Sequence, residues 1–208
     1  LPFLNVLWNT NQFYKQLNNS EKAEMKIEDK WILSRLNSTI KETTNSLENY
    51  SIENGLKPIM NFVANDFSRT YIKIIRDRED KNVEKIIEEV LEKISRLLAP
   101  YAPYITEVIY SYFSKKSVHL EEWPKFDEKI INKKLEQEFS FVLKIIEAGL
   151  AERDKLRIGL KWPLAKATIL CGDLKLGKDL QEIIMKQLNV KNLEFRESHA
   201  NQNDISVD

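Results

Sequence analysis

At 208 residues the chain is long enough to bury one large hydrophobic core, or one core with a small appendage. Lys plus Arg and Asp plus Glu balance at 32 each, so no global basic charge marks a polyanion partner, and any nucleic-acid surface has to be a local patch. A single cysteine, Cys171, excludes an internal disulfide; with only two histidines it supplies too few soft ligands for a structural zinc cage, which points to a reducing, intracellular setting without metal.

No apolar run approaches the roughly 20 residues a bilayer span needs, and the opening residues lack a signal peptide's basic start, so nothing directs the chain to a membrane. The sequence begins on Leu1, already inside an apolar pattern of Leu4, Leu7 and Trp8, which is expected of a piece of a longer protein.

Five Gly and six Pro leave few breakpoints, and helical spacing fills the stretches between them. A first helix is predicted from about Pro2 to Leu17, then a polar linker "NNSEKAEM", then a helix from Glu28 to about Glu48 with Ile32, Leu36, Ile40 and Leu47 on one face. The third starts at a Ser51 cap and repeats Ile52, Leu56, Ile59, Val63, Phe67, Tyr71 and Ile74 before a charged exit, "RDRED". The fourth carries a narrow seam of Val83, Ile87, Val90, Ile94 and Leu97 and stops at Pro100.

A fifth helix restarts at Pro103, whose missing amide donor is harmless in a first turn, with Tyr104, Val108, Ile109 and Tyr112 expected to face inward. After a connector, a sixth carries Ile131, Leu135, Phe139, Val142 and Ile146 towards Gly149. Past Trp162-Pro163 the period changes: "KATIL" is short and β-branched, "DLQEIIMKQL" is helical and "VKNLEF" alternates. The expectation is a mostly α fold, an antiparallel helical bundle over 1–160, with a small C-terminal β-α-β appendage over 161–208 whose polar tail frays.

No P-loop, dinucleotide fingerprint, HExxH or GxSxG sequence occurs. The nearest approach to an acid-base or metal site is His119 beside Glu121 and Glu122 in "SVHLEEWP"; the competing reading is a connector in which Val118 and Leu120 turn inward, Trp123 packs and Pro124 blocks continuation. Candidate RNA contacts fall in three stretches. "DKWILSRLNSTIK" offers Lys30, Arg35, Asn37 and Lys41, although spacing alone favours a solvated helix face with Trp31 in the core. "NDFSRTYIKIIRDR" offers Arg69, Lys73, Arg76 and Arg78, although Asp66 and Arg69 are spaced as an intrahelical ion pair. "AERDKLRIGLKWPL" offers Arg153, Lys155, Arg157, Lys161 and, beyond it, Lys166, with Trp162 either a stacking platform for an unstacked base or a packed corner before proline.

In order, "LWN" (7–9), "DKWILSRLN" (29–37), "NDFSRTYIKIIRDR" (65–78), "LLAPYAPYITEVIY" (97–110), "SVHLEEWP" (117–124), "RDKLRIGLKWPL" (153–164) and "LNVKNLEF" (188–195) resemble the anticodon-binding region of archaeal-type class I isoleucyl-tRNA synthetases. Valyl and leucyl enzymes share versions of several of these segments.

The resemblance implies a module that docks on a tRNA anticodon stem-loop; the residues themselves place the expected contacts on the second helix and in "RDKLRIGLKW", at Lys30, Arg35, Asn37, Lys41, Arg153, Lys155, Arg157, Lys161 and Trp162. It implies partners in an isoleucine tRNA and in catalytic and editing domains elsewhere in a parent chain, a cytoplasmic location, and no cofactor or catalytic residue in this stretch. ATP and Mg²⁺ would be used by the parent enzyme, since neither HIGH- nor KMSKS-type signatures occur here. A helical protein-protein scaffold and a hydrolase built on His119 are the alternatives of a different kind.

Overall fold

A computed structural model of the chain describes residues 2–17, 24–78, 80–170, 176–196 and 205–207. Cys171 and His199 lie outside the described residues. The chain divides into two compact units, Leu1–Lys133 and Lys134–Asp208. The sequence suggested a boundary near 160, whereas the long helix that ends at Lys155 clusters with the strands that follow it.

In the first unit α1 (Pro2–Gln16), α2 (Ile27–Glu48), α3 (Ile52–Asn61), a π-helical segment (Phe62–Tyr71), α4 (Ile72–Ile75), α5 (Lys81–Leu98) and α6 (Pro103–Tyr110) form a helical bundle. Helix α2 packs against α3, the π-helical segment and α5, so its interior positions are buried around most of its circumference, Trp31, Ile32, Leu36 and Ile40 among them. The seam of α5 is fully buried at Val83, Ile87, Val90, Ile94 and Leu97, as the three-and-four spacing requires. Asp80 starts that helix by accepting from the Val83 amide at 3.2 Å.

The third predicted helix is not uniform. Pro58 lies inside α3, and the stretch after it winds as a π-helix. That winding suits its aromatics: Phe62 and Phe67, five residues apart, stack with centroids 6.1 Å apart, and Phe67 stacks on Tyr71 at 6.2 Å. Ser51 does not cap the backbone; its hydroxyl accepts from the Asn54 side chain at 2.7 Å, and Ile52 beside it is exposed.

A buried polar cluster ties three elements of this unit together. The Arg78 guanidinium donates to Glu28 at 2.7 Å, to both oxygens of Asp29 at 2.8 and 2.9 Å, and to Asp80 at 2.9 Å. Tyr71 adds a hydroxyl donor to Asp29 at 2.9 Å, and the Lys26 amide a third donor at 2.9 Å. Burial first, then the Asp29 charge and hydrogen bond, push the Tyr71 phenol well above its ordinary value. Burial alone would lower Arg78, but the bonds to Asp29 and Asp80 raise it.

Helix α6 shows that a two-turn helix does not declare its inner face. Thr106, Ile109 and Tyr110 are buried, whereas Tyr104, Val108 and Tyr112, expected inside, are exposed, Tyr104 to 88%. In the connector, a 3₁₀ turn (Val118–Leu120) buries Val118 but leaves Leu120 exposed, contrary to the alternation expected of an extended segment. Trp123 does pack, donating its indole N–H to Thr44 at 2.9 Å.

The second unit holds α7 (Lys133–Lys155) after its first residue, β1 (Ala167–Leu170), α8 (Lys178–Leu188), β2 (Leu193–Arg196) and β3 (Ile205–Val207). The predicted β-α-β element is present, with β1 and β2 parallel and Ile169 opposite Phe195. β3, from a tail expected to fray, joins antiparallel on the other edge with Ile169 opposite Ile205, which makes β1 central and explains its burial. Among the described residues, no helix is long and apolar enough to cross a membrane.

Candidate nucleic-acid interface

The four candidates on α2 do not share one surface. At 3.6 residues per turn Lys30, Asn37 and Lys41 fall on one face, with Arg35 about 140° round the axis from Lys30. Arg35 turns to the π-helical segment, its Nε 2.9 Å from Asp66 Oδ2. Asp66 is therefore spent on α2, and Arg69 donates instead to Asn65 at 3.2 Å rather than forming the expected intrahelical pair.

Asn37 is 1% exposed and serves the fold. Its amide donates to the Leu33 carbonyl at 2.8 Å and its oxygen accepts from the Asp127 amide at 2.8 Å, fastening the 125–132 connector to α2. Lys30 is exposed. Lys41 reaches Glu128 at 2.7 Å and lies 5.5 Å from the Phe126 ring centroid. It borders an open groove of about 480 Å³ lined by Ser38, Glu42, Asn45, Glu128, Ile131 and Lys133, with Lys133 donating to Ser38 at 2.9 Å. Lysines and glutamates balance there, so Lys41 meets a phosphate only by giving up Glu128.

The stretch after α7 is a built surface. Helix α7 ends with Arg157 in the left-handed region at φ 56°, and the Ile158 amide closes the turn on the Arg153 carbonyl at 2.9 Å. Arg153, expected to meet RNA, is 2% exposed and turned inward. Its guanidinium donates to the carbonyls of Leu188 at 3.2 Å, Gly159 at 2.7 Å and Trp162 at 2.6 Å, while its buried Nε has no hydrogen-bond partner among the described residues. Asn189, the left-handed C-cap of α8, donates to the Leu160 carbonyl at 2.9 Å.

With three carbonyls of the loop drawn inward, its side chains stand out. Trp162 is 73% exposed, Leu156 and Leu160 are about half exposed, and Arg157 and Lys161 flank them in solvent. This is a cation-lined surface with an aromatic face, the arrangement that holds unstacked bases beside their phosphates. The corner reading of Trp162 does not hold: the corner is made by Arg153 and the backbone, and the indole is outside it. Lys155 leans on Glu152 at 2.5 Å at the edge of this surface. Lys166 is tied to Glu194 across the parallel strands, and that hydrogen bond holds the Glu194 carboxyl below its ordinary value.

The remaining cations divide in the same way. Arg69, Lys73 and Arg76 are exposed, whereas Arg78 is the centre of the buried cluster. His119 is exposed, its Nε2 4.0 Å from Glu107, whose carboxylate instead fixes the turn by accepting from Ser117 Oγ and the Val118 amide, both at 2.9 Å. Among the described residues, no three His, Cys, Asp or Glu side chains are grouped to hold a metal. Sequence reasoning missed Leu156 and Leu160 as surface residues; their signal was an apolar residue on each side of Gly159, just where helical spacing stops.

A model of the family described as "Anticodon-binding domain of tRNA ligase" matches residues 29–169. Over 214 residues the chain is 37% identical to the isoleucine–tRNA ligase of Pyrococcus horikoshii and 36% identical to that of Pyrococcus furiosus, covering 90% of this chain and 20% of each relative. The isoleucine–tRNA ligase of Archaeoglobus fulgidus is 35% identical over 97% of this chain and 22% of its own length. The chain thus spans about a fifth of the curated relatives it matches. A weaker likeness is to the crystal structure of the LeuRS-tRNA-LeuAMS ternary complex of Agrobacterium radiobacter K84, with a TM-score of 0.47, 19% identity, and coverage of 62% of this chain and 16% of that one. With its helical bundle, its β-α-β element and a family match running from α2 into β1, the chain belongs to the anticodon-binding domain family of tRNA ligases.

Proposed function

We propose that this chain is the anticodon stem-loop-binding module of an isoleucine–tRNA ligase, acting in the cytoplasm. It would place an isoleucine tRNA for aminoacylation by a catalytic domain, alongside an editing domain, elsewhere in a parent polypeptide that uses ATP and Mg²⁺. The observation that carries the RNA-contact part is the outward surface of Leu160, Lys161 and Trp162, flanked by Arg157, on a backbone anchored from beneath. The relatives, which are isoleucine–tRNA ligases, support isoleucine as the cognate amino acid.

Within the candidate set, Arg157, Lys161, Trp162, Lys30 and Lys41 supply contact, Lys155 contributes at the rim, and Arg35, Asn37 and Arg153 hold the scaffold in place. The test is titration of the chain with unmodified isoleucine, valine and leucine tRNA transcripts at low and moderate salt, followed by fluorescence anisotropy. Preference for the isoleucine transcript, lost when its anticodon is changed and weakened by salt, is the expected result. Preference for the valine or leucine transcript would reassign the specificity. Absence of binding to all three at low salt would overturn the reading in favour of a protein-protein scaffold.

A further inference from the structure

Resting on that reading, we propose that Arg153 is a positioning residue: its buried guanidinium fixes the 157–162 loop so that Trp162 is presented as a platform for one unstacked RNA base. Arg153 is nearly fully buried, and no carboxylate partners it among the described residues. A cation buried without a counter-ion is costly unless local dipoles compensate it. Here they do, because Arg153 sits in the last turn of α7 and donates to the carbonyl of Leu188, the last residue of α8, where helix dipoles leave negative partial charge.

The approach of α8 is set one turn earlier in α7. A Cβ on Gly149 would lie 2.7 Å from Leu188 Cδ1, so the glycine makes room for the Leu188 side chain against the helix, beside the carbonyl that Arg153 reaches. From there the guanidinium spans to Gly159 and Trp162, and Asn189 holds Leu160 between them. An apolar residue would fill the same space without these bonds; what the guanidinium adds is a fixed direction for the loop.

The consequence falls on Trp162. Its backbone carbonyl is held at 2.6 Å while its indole is in solvent, so the ring is exposed through anchoring and has less ordering entropy to lose when a base stacks on it. Arg157 and Lys161, exposed on the same loop, meet the phosphates that flank such a base.

Two measurements on the whole chain test this. In the first, all four tryptophans are labelled as 5-fluorotryptophan, and the Trp162 fluorine resonance is identified by its loss in Trp162→Phe. Arg153→Met should shift and broaden that resonance while leaving the other three in place, and Arg153→Lys, which keeps charge but cannot span three carbonyls, should fall between. In the second, affinity for the isoleucine tRNA transcript is measured in a double-mutant cycle. Arg153→Met should weaken binding on the order of tenfold in the wild-type background and have little effect in Trp162→Ala, because both changes remove one stacking contact.

Equal and additive losses in the two backgrounds, or an unmoved Trp162 resonance, would overturn the proposal. Should Arg153→Met fail to fold, Arg153→Lys runs the same cycle with the same criterion. A wild-type chain that binds no transcript would remove the functional reading and the stacking role with it. An unmoved resonance in a chain that does bind would remove only the role of Arg153.

Discussion

Two arginines are buried among the described residues, and they are compensated in opposite ways. Arg78 faces three carboxylates, Glu28, Asp29 and Asp80, and ties the start of α2 to the start of α5. Arg153 faces three carbonyls and no carboxylate among the described residues. The first is a closed knot whose products are all internal. The second draws a loop's carbonyls inward and displays Leu160, Lys161 and Trp162. A buried cation with acidic partners reads as a staple, and one with carbonyl partners as a device for shaping a surface.

The sharpest way to break that contrast is Arg78→Met, which leaves three buried carboxylates facing one another. Urea denaturation should show a loss of about 3–5 kcal/mol, or no folded protein, and a loss below 1 kcal/mol would deny the staple. Arg153→Met should cost less, about 1–3 kcal/mol, because the carbonyls it abandons at Gly159 and Trp162 lie near solvent and can take water.

Tyr71 probes the acidic knot by pH. Its folded phenol titrates above the ordinary value near 10, so the stability it contributes is fully present below about pH 10 and is lost as pH rises beyond it. Between pH 9 and 11 the urea midpoint of the wild type should therefore fall further than that of Tyr71→Phe. Equal slopes would mean that the phenol is neither buried nor held by Asp29.

On the surface side, Trp162→Ala should leave the thermal midpoint nearly unchanged while lowering affinity for the isoleucine transcript on the order of tenfold. The smallest effect is expected at Arg157→Gly. Relief of a left-handed non-glycine backbone should raise stability by about 1 kcal/mol, and loss of one phosphate contact should reduce the salt slope of binding by about 1.

Much of the scaffold was legible before any coordinates, because long helices advertise their inner face over several turns, as α2 and α5 do. Short elements did not. Helix α6 has only two turns and apolar residues on both sides, so spacing could not choose between Ile109 with Tyr110 and Tyr104 with Val108. The winding of the third helix was also hidden, since residues four apart suit an α-helix and a π-helix alike at Val63, Phe67 and Tyr71. The site was half legible. "RIGLKW" shows its exposed cations and aromatic in local pattern, but the fate of other candidates depended on remote partners: Arg153 on Leu188, and Asn37 on Asp127 ninety positions away. Long-range hydrogen bonds to backbone leave no trace in local pattern.

Hydrogen-deuterium exchange of the whole chain, with and without a saturating isoleucine tRNA transcript, bears most directly on the division between knot and surface. Protection should appear in peptides covering 156–164 and stay unchanged in those covering Tyr71 and Arg78. Protection absent from 156–164, with the transcript bound, would place the RNA elsewhere and contradict the account.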